Sequence, residues 1–276
     1  MSEGFPYRGA AVITGAGSGI GLATAHVLAM RGMDLALVDI SEDRLAEAAR
    51  ALASNERRVT TYALDVADRD ATAALPGRVA TDHPVVSVLM NNAGVGLGGN
   101  FEQVAEEDFE WLFEINFHAP VRLTRGFLPL LRAAPEARLV NVSSIFGIIA
   151  PASQVAYAAS KFALRGFSEA LRHELEAEGA SVGVTTVHPG GVATNISRDA
   201  RINVDWDPDD IERRREAATR LLTMPPPKAA GLIVDAMERR QPRLLIGRDA
   251  RLAAMIQRAF PVTYYRRLQN RLAEAR

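Results

Sequence analysis

Short runs of apolar residues alternate with stretches whose apolar positions recur at helical spacing through most of the chain. The runs fall at 10–14, 35–39, 59–64, 85–90, 138–143, 182–187 and 243–246. Most are continuously apolar rather than alternating, the pattern of a parallel strand covered on both faces. Between them, Ser41 followed by Glu42 and Asp43 has the chemistry of a helix start, and Gly32 suits a helix end. The stretch 153–178 carries Leu164, Phe167, Leu171 and Leu175 on one helical face. This alternation predicts an α/β fold: one Rossmann-type, doubly wound parallel sheet of about seven strands with helices on both faces. Two segments break the rhythm inside what reads as a single domain over 1–276. Residues 191–227 are polar and charged and end in Met224-Pro225-Pro226-Pro227, an insertion of the length expected for a substrate lid. Residues 249–276 form a C-terminal tail.

Charge changes the picture by exclusion. Lys and Arg number 32 against 33 Asp and Glu, too even a balance for a nucleic-acid binder. There are no cysteines, which removes disulfides, thiolate catalysis and cysteine zinc sites. His26, His83, His118 and His173 show no ligand spacing, so no metal is expected. The first ten residues lack the basic start and apolar core of a signal peptide, and no apolar run approaches the roughly 18 residues of a membrane span. A cytoplasmic protein without a transmembrane segment is expected.

The first strand leads into Thr14-Gly15-Ala16-Gly17-Ser18-Gly19-Ile20-Gly21, which opens a helix. Glycines allow a tight turn and close approach to a pyrophosphate, whose charge the helix N-terminus favours. Asp39 ends the second strand, where a carboxylate accepts hydrogen bonds from ribose hydroxyls and repels a 2′-phosphate. Neither Ser18 nor Ile40 is basic, which favours NAD over NADP, while Arg44 nearby pulls the other way. A glycine-rich turn with a capping Asp is the bland alternative.

Tyr157 and Lys161, four apart, share one face of the long helix. A free tyrosine has a pKa of about 10, and lowering it by roughly three units requires about 4 kcal/mol of preferential phenolate stabilisation. A neighbouring ammonium can supply part of that. Ser144 lies just past an apolar strand, where its hydroxyl can reach a substrate oxygen. In isolation such a Tyr/Lys pair is usually an exposed helix face; its weight comes from the elements around it.

With these elements in order, the chain resembles the short-chain dehydrogenase/reductase family, in the subgroup with a TGxxxGxG loop and a YxxxK pair, from about residue 8 to 195 and again at 227–247. The resemblance implies a cofactor site made by Gly15, Ser18, Ile20 and Gly21 in the phosphate loop and Asp39 at the ribose. It adds Asp65 and Val66 at the adenine, then Asn92, Ala93 and Gly94 in the turn after the fourth strand. Pro189, Gly190, Val192 and Thr194 would hold the nicotinamide carboxamide, with Tyr157 and Lys161 at the ring. It implies four catalytic residues: Ser144 on the substrate oxygen, Tyr157 as general acid/base, Lys161 on the ribose and phenolate, and Asn116 holding a water that links Lys161 to solvent. It further implies a homodimer or homotetramer that interconverts a secondary alcohol and a ketone. An NADPH-dependent reductase of 3-oxoacyl or other carbonyl substrates is the nearest alternative, and a non-catalytic dinucleotide-binding scaffold is a more distant one.

Two features stand outside that pattern. His188, just before Pro189, reads better as a packed histidine than as a titrating one. The tail interleaves Arg251, Arg258, Arg266, Arg267, Arg271 and Arg276 with Leu252, Met255, Ile256, Phe260, Tyr264, Tyr265 and Leu268, against Glu274. Peripheral contact with anionic lipid is one reading. Packing over the pocket or a subunit is favoured, because Pro261 interrupts any continuous helix.

Overall fold

The apolar runs line up side by side as parallel strands in a computed structural model that describes residues 5–54, 56–202 and 207–274. Residues 1–4 of the opening decapeptide, 203–206 of the lid segment, and Arg276 of the basic tail lie outside the described residues. The strands are β1 (Ala10–Thr14), β2 (Asp34–Asp39), β3 (Val59–Ala63), β4 (Val86–Asn91), β5 (Leu97–Gly98), β6 (Ala137–Val142), β7 (Val182–Pro189), β8 (Arg201–Ile202) and β9 (Arg243–Ile246). Seven of them form one all-parallel sheet in the order β3-β2-β1-β4-β6-β7-β9. β5 and β8 make a separate two-residue parallel pair, too short to leave a hydropathy signal.

The helices are α1 (Gly19–Met30), α2 (Glu42–Leu52), α3 (Arg69–Asp82), α4 (Glu106–Phe113), α5 (Ala119–Ala133), α6 (Val155–Ala177), α7 (Pro208–Arg220), α8 (Pro226–Glu238), α9 (Arg248–Ala259) and α10 (Tyr264–Glu274). Successive residues of a strand point to opposite faces, so each strand feeds two cores. Ala11 and Ile13 pack with Leu28 of α1, Leu45 of α2 and Ile233 of α8. Val12 packs on the other side with Leu75 of α3, Phe127 of α5 and Leu175 of α6. This two-sided burial is why the strands read as unbroken apolar runs. Ser41 caps α2 by accepting from the Arg44 amide, as its sequence setting suggests.

One strand carries a charge into the interior. Arg138, at the start of β6, is 1% exposed. Its Nε donates to the Met237 carbonyl at 2.7 Å, Nη1 to the Ala137 carbonyl at 2.9 Å and Nη2 to Glu136 at 2.9 Å. The guanidinium also lies 4.6 Å from the Phe5 ring centroid. Every edge of the ion is thereby satisfied, which is what permits its burial.

In the tail, Pro261 separates α9 from α10, and Ala253, Tyr264 and Leu268 pack against Ile148 and Ile149. The Tyr264 hydroxyl accepts from the Ala150 amide at 2.9 Å. Among the described residues no helix is long and apolar enough to cross a membrane. Strand order runs outward in opposite directions from β1 and β4, and that switch point opens a crevice at their C-terminal ends.

Candidate active site

The turn after β1 is built by its neighbours. Gly15 sits at φ +64, and a Cβ there would lie 2.9 Å from the Asn92 amide nitrogen, so both conformation and space require glycine. Asn92 Nδ2 donates to the carbonyls of Thr14 (2.9 Å) and Gly15 (3.2 Å). Thr14 Oγ1 accepts from the amides of Asn92 and Ala93, both at 3.0 Å. Thr14 thus ties the loops after β1 and β4 together, a role its place in the glycine motif could have suggested. Ser18 begins α1 with extended backbone and makes no side-chain cap. The first turn of α1 therefore keeps donors for an outside anion.

These loops border a cavity of about 340 Å³ lined by Gly15, Ser18, Ile20, Asp39, Asp65, Val66, Asn92, Ala93, Gly94, Pro189, Gly190, Val192 and Thr194, along with Ser144, Tyr157 and Lys161. Gly21 is not part of the lining; it packs against the Gly15 carbonyl and the Asn92 amide behind the loop. At one end, Asp39 accepts from the Gly17 amide through Oδ2 and from the Ser41 amide and Arg44 Nη2 through Oδ1, each at 3.0 Å. Arg44 lines the same end. The Asp65 carboxylate accepts from the Ala67 amide at 2.8 Å while staying exposed, and Val66 beside it is buried. An elongated cleft with an open helix N-terminus at its middle and a carboxylate at one end fits a dinucleotide.

At the other end, β6 delivers Ser144 and α6 delivers Tyr157 and Lys161. The Ser144 hydroxyl accepts from the Phe146 amide at 3.1 Å, which leaves its proton free for the Tyr157 oxygen. Burial pushes the Tyr157 phenol above its ordinary pKa, and the Ser144 hydrogen bond acts against that rise. Lys161 is 3% exposed; burial pulls its ammonium down to about 8. Its Nζ donates to the Val142 carbonyl at 3.1 Å and lies 5.7 Å from the centre of the Tyr157 ring. Ser143 Oγ, absent from the sequence reading, donates to the Lys161 carbonyl at 2.9 Å and fixes α6 to the end of β6.

Asn116 also lies outside the cavity lining. It sits in a π-helical turn, Glu114–His118, of the kind often found at functional positions. Its Oδ1 accepts from the Val95 amide at 2.9 Å, and its Nδ2 donates to the Val95 carbonyl at 3.0 Å and to Ser160 Oγ at 3.4 Å. A Cβ at Gly94 would lie 3.1 Å from Asn116 Oδ1 and 3.3 Å from Lys161 Nζ, so glycine there lets the two side chains close on one spot.

His188 is fully buried, and burial pulls it down to about 4. The neutral ring holds the Ser144 carbonyl through Nδ1 at 2.8 Å, and Nε2 has no partner among the described residues. It is a packed histidine, as its sequence setting suggests.

A second cavity of about 420 Å³ opens beyond Tyr157 between α6, residues of the segment 196–222 and the start of α9. Ser144 and Tyr157 line both cavities. Leu221 and Leu222, just past the end of α7, border the second one.

The sequence profile described as short chain dehydrogenase matches residues 9–205. The chain is 38% identical over 257 residues to the SadH protein of Mycobacterium tuberculosis, covering 93% of this chain and 92% of that protein. It is similar to the crystal structure of a short chain dehydrogenase/reductase from Burkholderia phymatum in complex with NAD. The TM-score is 0.85 and the identity 30%, over 92% of this chain and 95% of that one. It is also similar to an alcohol dehydrogenase from the archaeon Thermococcus sibiricus complexed with 5-hydroxy-NADP. There the TM-score is 0.68 and the identity 26%, over 87% and 96% of the two chains.

Proposed function

The chain belongs to the short-chain dehydrogenase/reductase family, and on that footing we propose that it is an NAD-dependent oxidoreductase interconverting a secondary alcohol and a ketone. One observation carries the reading: Ser144 and Tyr157 stand where the dinucleotide-sized cleft and the apolar cavity meet, with Lys161 one turn further along the same helix. When bound, the nicotinamide cofactor supplies the hydride acceptor for oxidation or the donor for reduction. Gly15, Ser18, Ile20 and the N-terminus of α1 would hold its pyrophosphate, Asp39 its ribose, and Asp65 and Val66 its adenine. Asn92, Ala93, Gly94, Pro189, Gly190, Val192 and Thr194 would seat the nicotinamide half.

The proton chemistry falls to this chain. Ser144 Oγ holds the substrate oxygen against the Tyr157 hydroxyl. As the phenolate, Tyr157 Oη takes the alcohol proton in oxidation, and as the phenol it gives that proton to the ketone oxygen in reduction. Lys161, cationic at neutral pH even with its lowered pKa, favours the phenolate through the field of its ammonium. Asn116 positions this corner by bonding the Val95 backbone and Ser160, and the water proposed to serve Lys161 would lie beside it. A homodimer or homotetramer in the cytoplasm belongs to the same reading; Val155 and Phe162, seven apart on α6, remain exposed and suit a subunit contact.

Incubating the protein with secondary alcohols and NAD, and with ketones and NADH, followed by reduced-cofactor absorbance, tests the proposal; no cofactor turnover with any member of a broad panel refutes it. The preference for NAD rests on Asp39, and Arg44, paired to it at 3.0 Å, supports the NADPH-dependent alternative. Asp39→Ala should raise the KM for NAD about tenfold, roughly 1.4 kcal/mol, while releasing Arg44 and leaving NADP unchanged or improved. Equal losses for both cofactors would show that Asp39 does not select between them.

A further inference from the structure

The second cavity is walled by apolar groups such as Leu97, Ile145, Phe146, Ile196 and Leu222, yet one guanidinium reaches it from the lid. Arg215 of α7 is half-buried, and its Nε is out of solvent with no partner. Nη2 makes one long bond, 3.4 Å, to the Ala200 carbonyl. No carboxylate pairs with Arg215 among the described residues. The contrast is with Arg138, a buried guanidinium of purely structural role in which each edge is bonded. An unsatisfied buried N–H on a cation is costly, and Arg215 also lines the cavity that contains the reactive Tyr157 and Ser144.

The acidic group of the lining, Asp249 at the start of α9, does not fill the gap. It accepts from the Gly191 amide at 2.7 Å, seats against Gly190 and Gly247, and is solvent-exposed, which screens its charge.

We infer that Arg215 receives the carboxylate of the substrate, so that the natural substrate is an apolar chain bearing a hydroxyl or oxo group and, at a distance from it, a carboxylic acid. The inference rests on the dehydrogenase reading for the reacting oxygen and on Arg215 for the head group. The guanidinium fork suits the two oxygens of a carboxylate, and among the described residues it would give up the long Nη2 bond to the Ala200 carbonyl. A lone guanidinium matches a monoanion, whereas a phosphate dianion would need a second cation. At about 30 Å³ per water-sized group the cavity takes on the order of a dozen such groups, enough for a chain of about ten carbons.

Decanoate has no hydroxyl or oxo group to react, so its binding reports the head-group site whether or not the protein turns over. Calorimetric titration of the full chain with decanoate and with decanamide, its neutral counterpart, should show decanoate binding at least about tenfold tighter. In Arg215→Met the preference should vanish through loss of decanoate affinity, with decanamide unchanged; Arg215→Gln repeats the test if the first variant fails to fold. Equal wild-type affinities, or a preference that survives both substitutions, overturn the inference, and decyl phosphate binding tighter than decanoate overturns the carboxylate assignment. A preference lost in Arg215→Met supports it even if no alcohol or ketone is ever turned over, so the two proposals fail separately.

Discussion

Tyr157→Phe should reduce kcat by about a thousandfold, roughly 4 kcal/mol of transition-state stabilisation, while leaving NADH affinity within about twofold. The substitution removes one oxygen. It retains the ring that packs edge-on to Phe146 at 6.0 Å and lies 5.7 Å from Lys161 Nζ. The Ser144 hydroxyl loses its partner but keeps the Phe146 amide, so the local backbone has no reason to move. What disappears is the group able to exchange a proton with the substrate oxygen. Steady-state rates with the best alcohol from the panel, together with cofactor fluorescence titration, separate the two quantities. Turnover near the wild-type level in a variant that still binds NADH would remove Tyr157 from the chemistry.

Acid should destabilise the protein before its carboxylates titrate. His188 has a pKa of about 4 in the fold against an ordinary value of 6.5. Between those values the unfolded chain binds a proton that the folded chain refuses, so stability is complete above pH 6.5 and is lost as pH falls toward about 4. The full difference is on the order of 3 kcal/mol, of which about 2 kcal/mol is gone by pH 5. His83, fully buried with its pKa lowered mainly by burial, adds in the same direction. Urea midpoints at pH 7.5 and pH 5 should therefore differ markedly in the wild type. The difference should shrink in His188→Asn, whose amide can still donate to the Ser144 carbonyl. Identical pH dependence in the two proteins would place the acid sensitivity elsewhere.

What could be read before the coordinates follows from how each feature is encoded. The seven strands announce themselves because both faces of the sheet are covered, which forces unbroken apolar runs such as Ala11, Val12 and Ile13. Most of the site residues named from the sequence line one cleft, because the strand ends, loops and helix starts that carry them face the same crevice. Two of the named residues, Gly21 and Asn116, sit behind that lining and act on it through backbone contacts, a distinction that spacing does not encode. Thr14 and Ser143 carry no local signal of their roles, and the charged stretch 207–215 reads as a solvated face although Arg215 is half-buried at a cavity, for a related reason: their partners lie 78, 18 and 15 residues distant. The short β5–β8 pair offers two residues per strand, a single strand period and too little to show as a repeat.

That short pair joins parts of the molecule that would otherwise be independent. It ties the turn carrying Gly94 to residues 201–202, and Arg201, the first residue of β8, donates to Asp108 at 2.7 Å and stacks 3.6 Å from the Trp111 ring centre. Val95, two residues before β5, holds both polar atoms of the Asn116 amide, so the anchor of β8 lies on the same short stretch of backbone that positions the proton-handling corner.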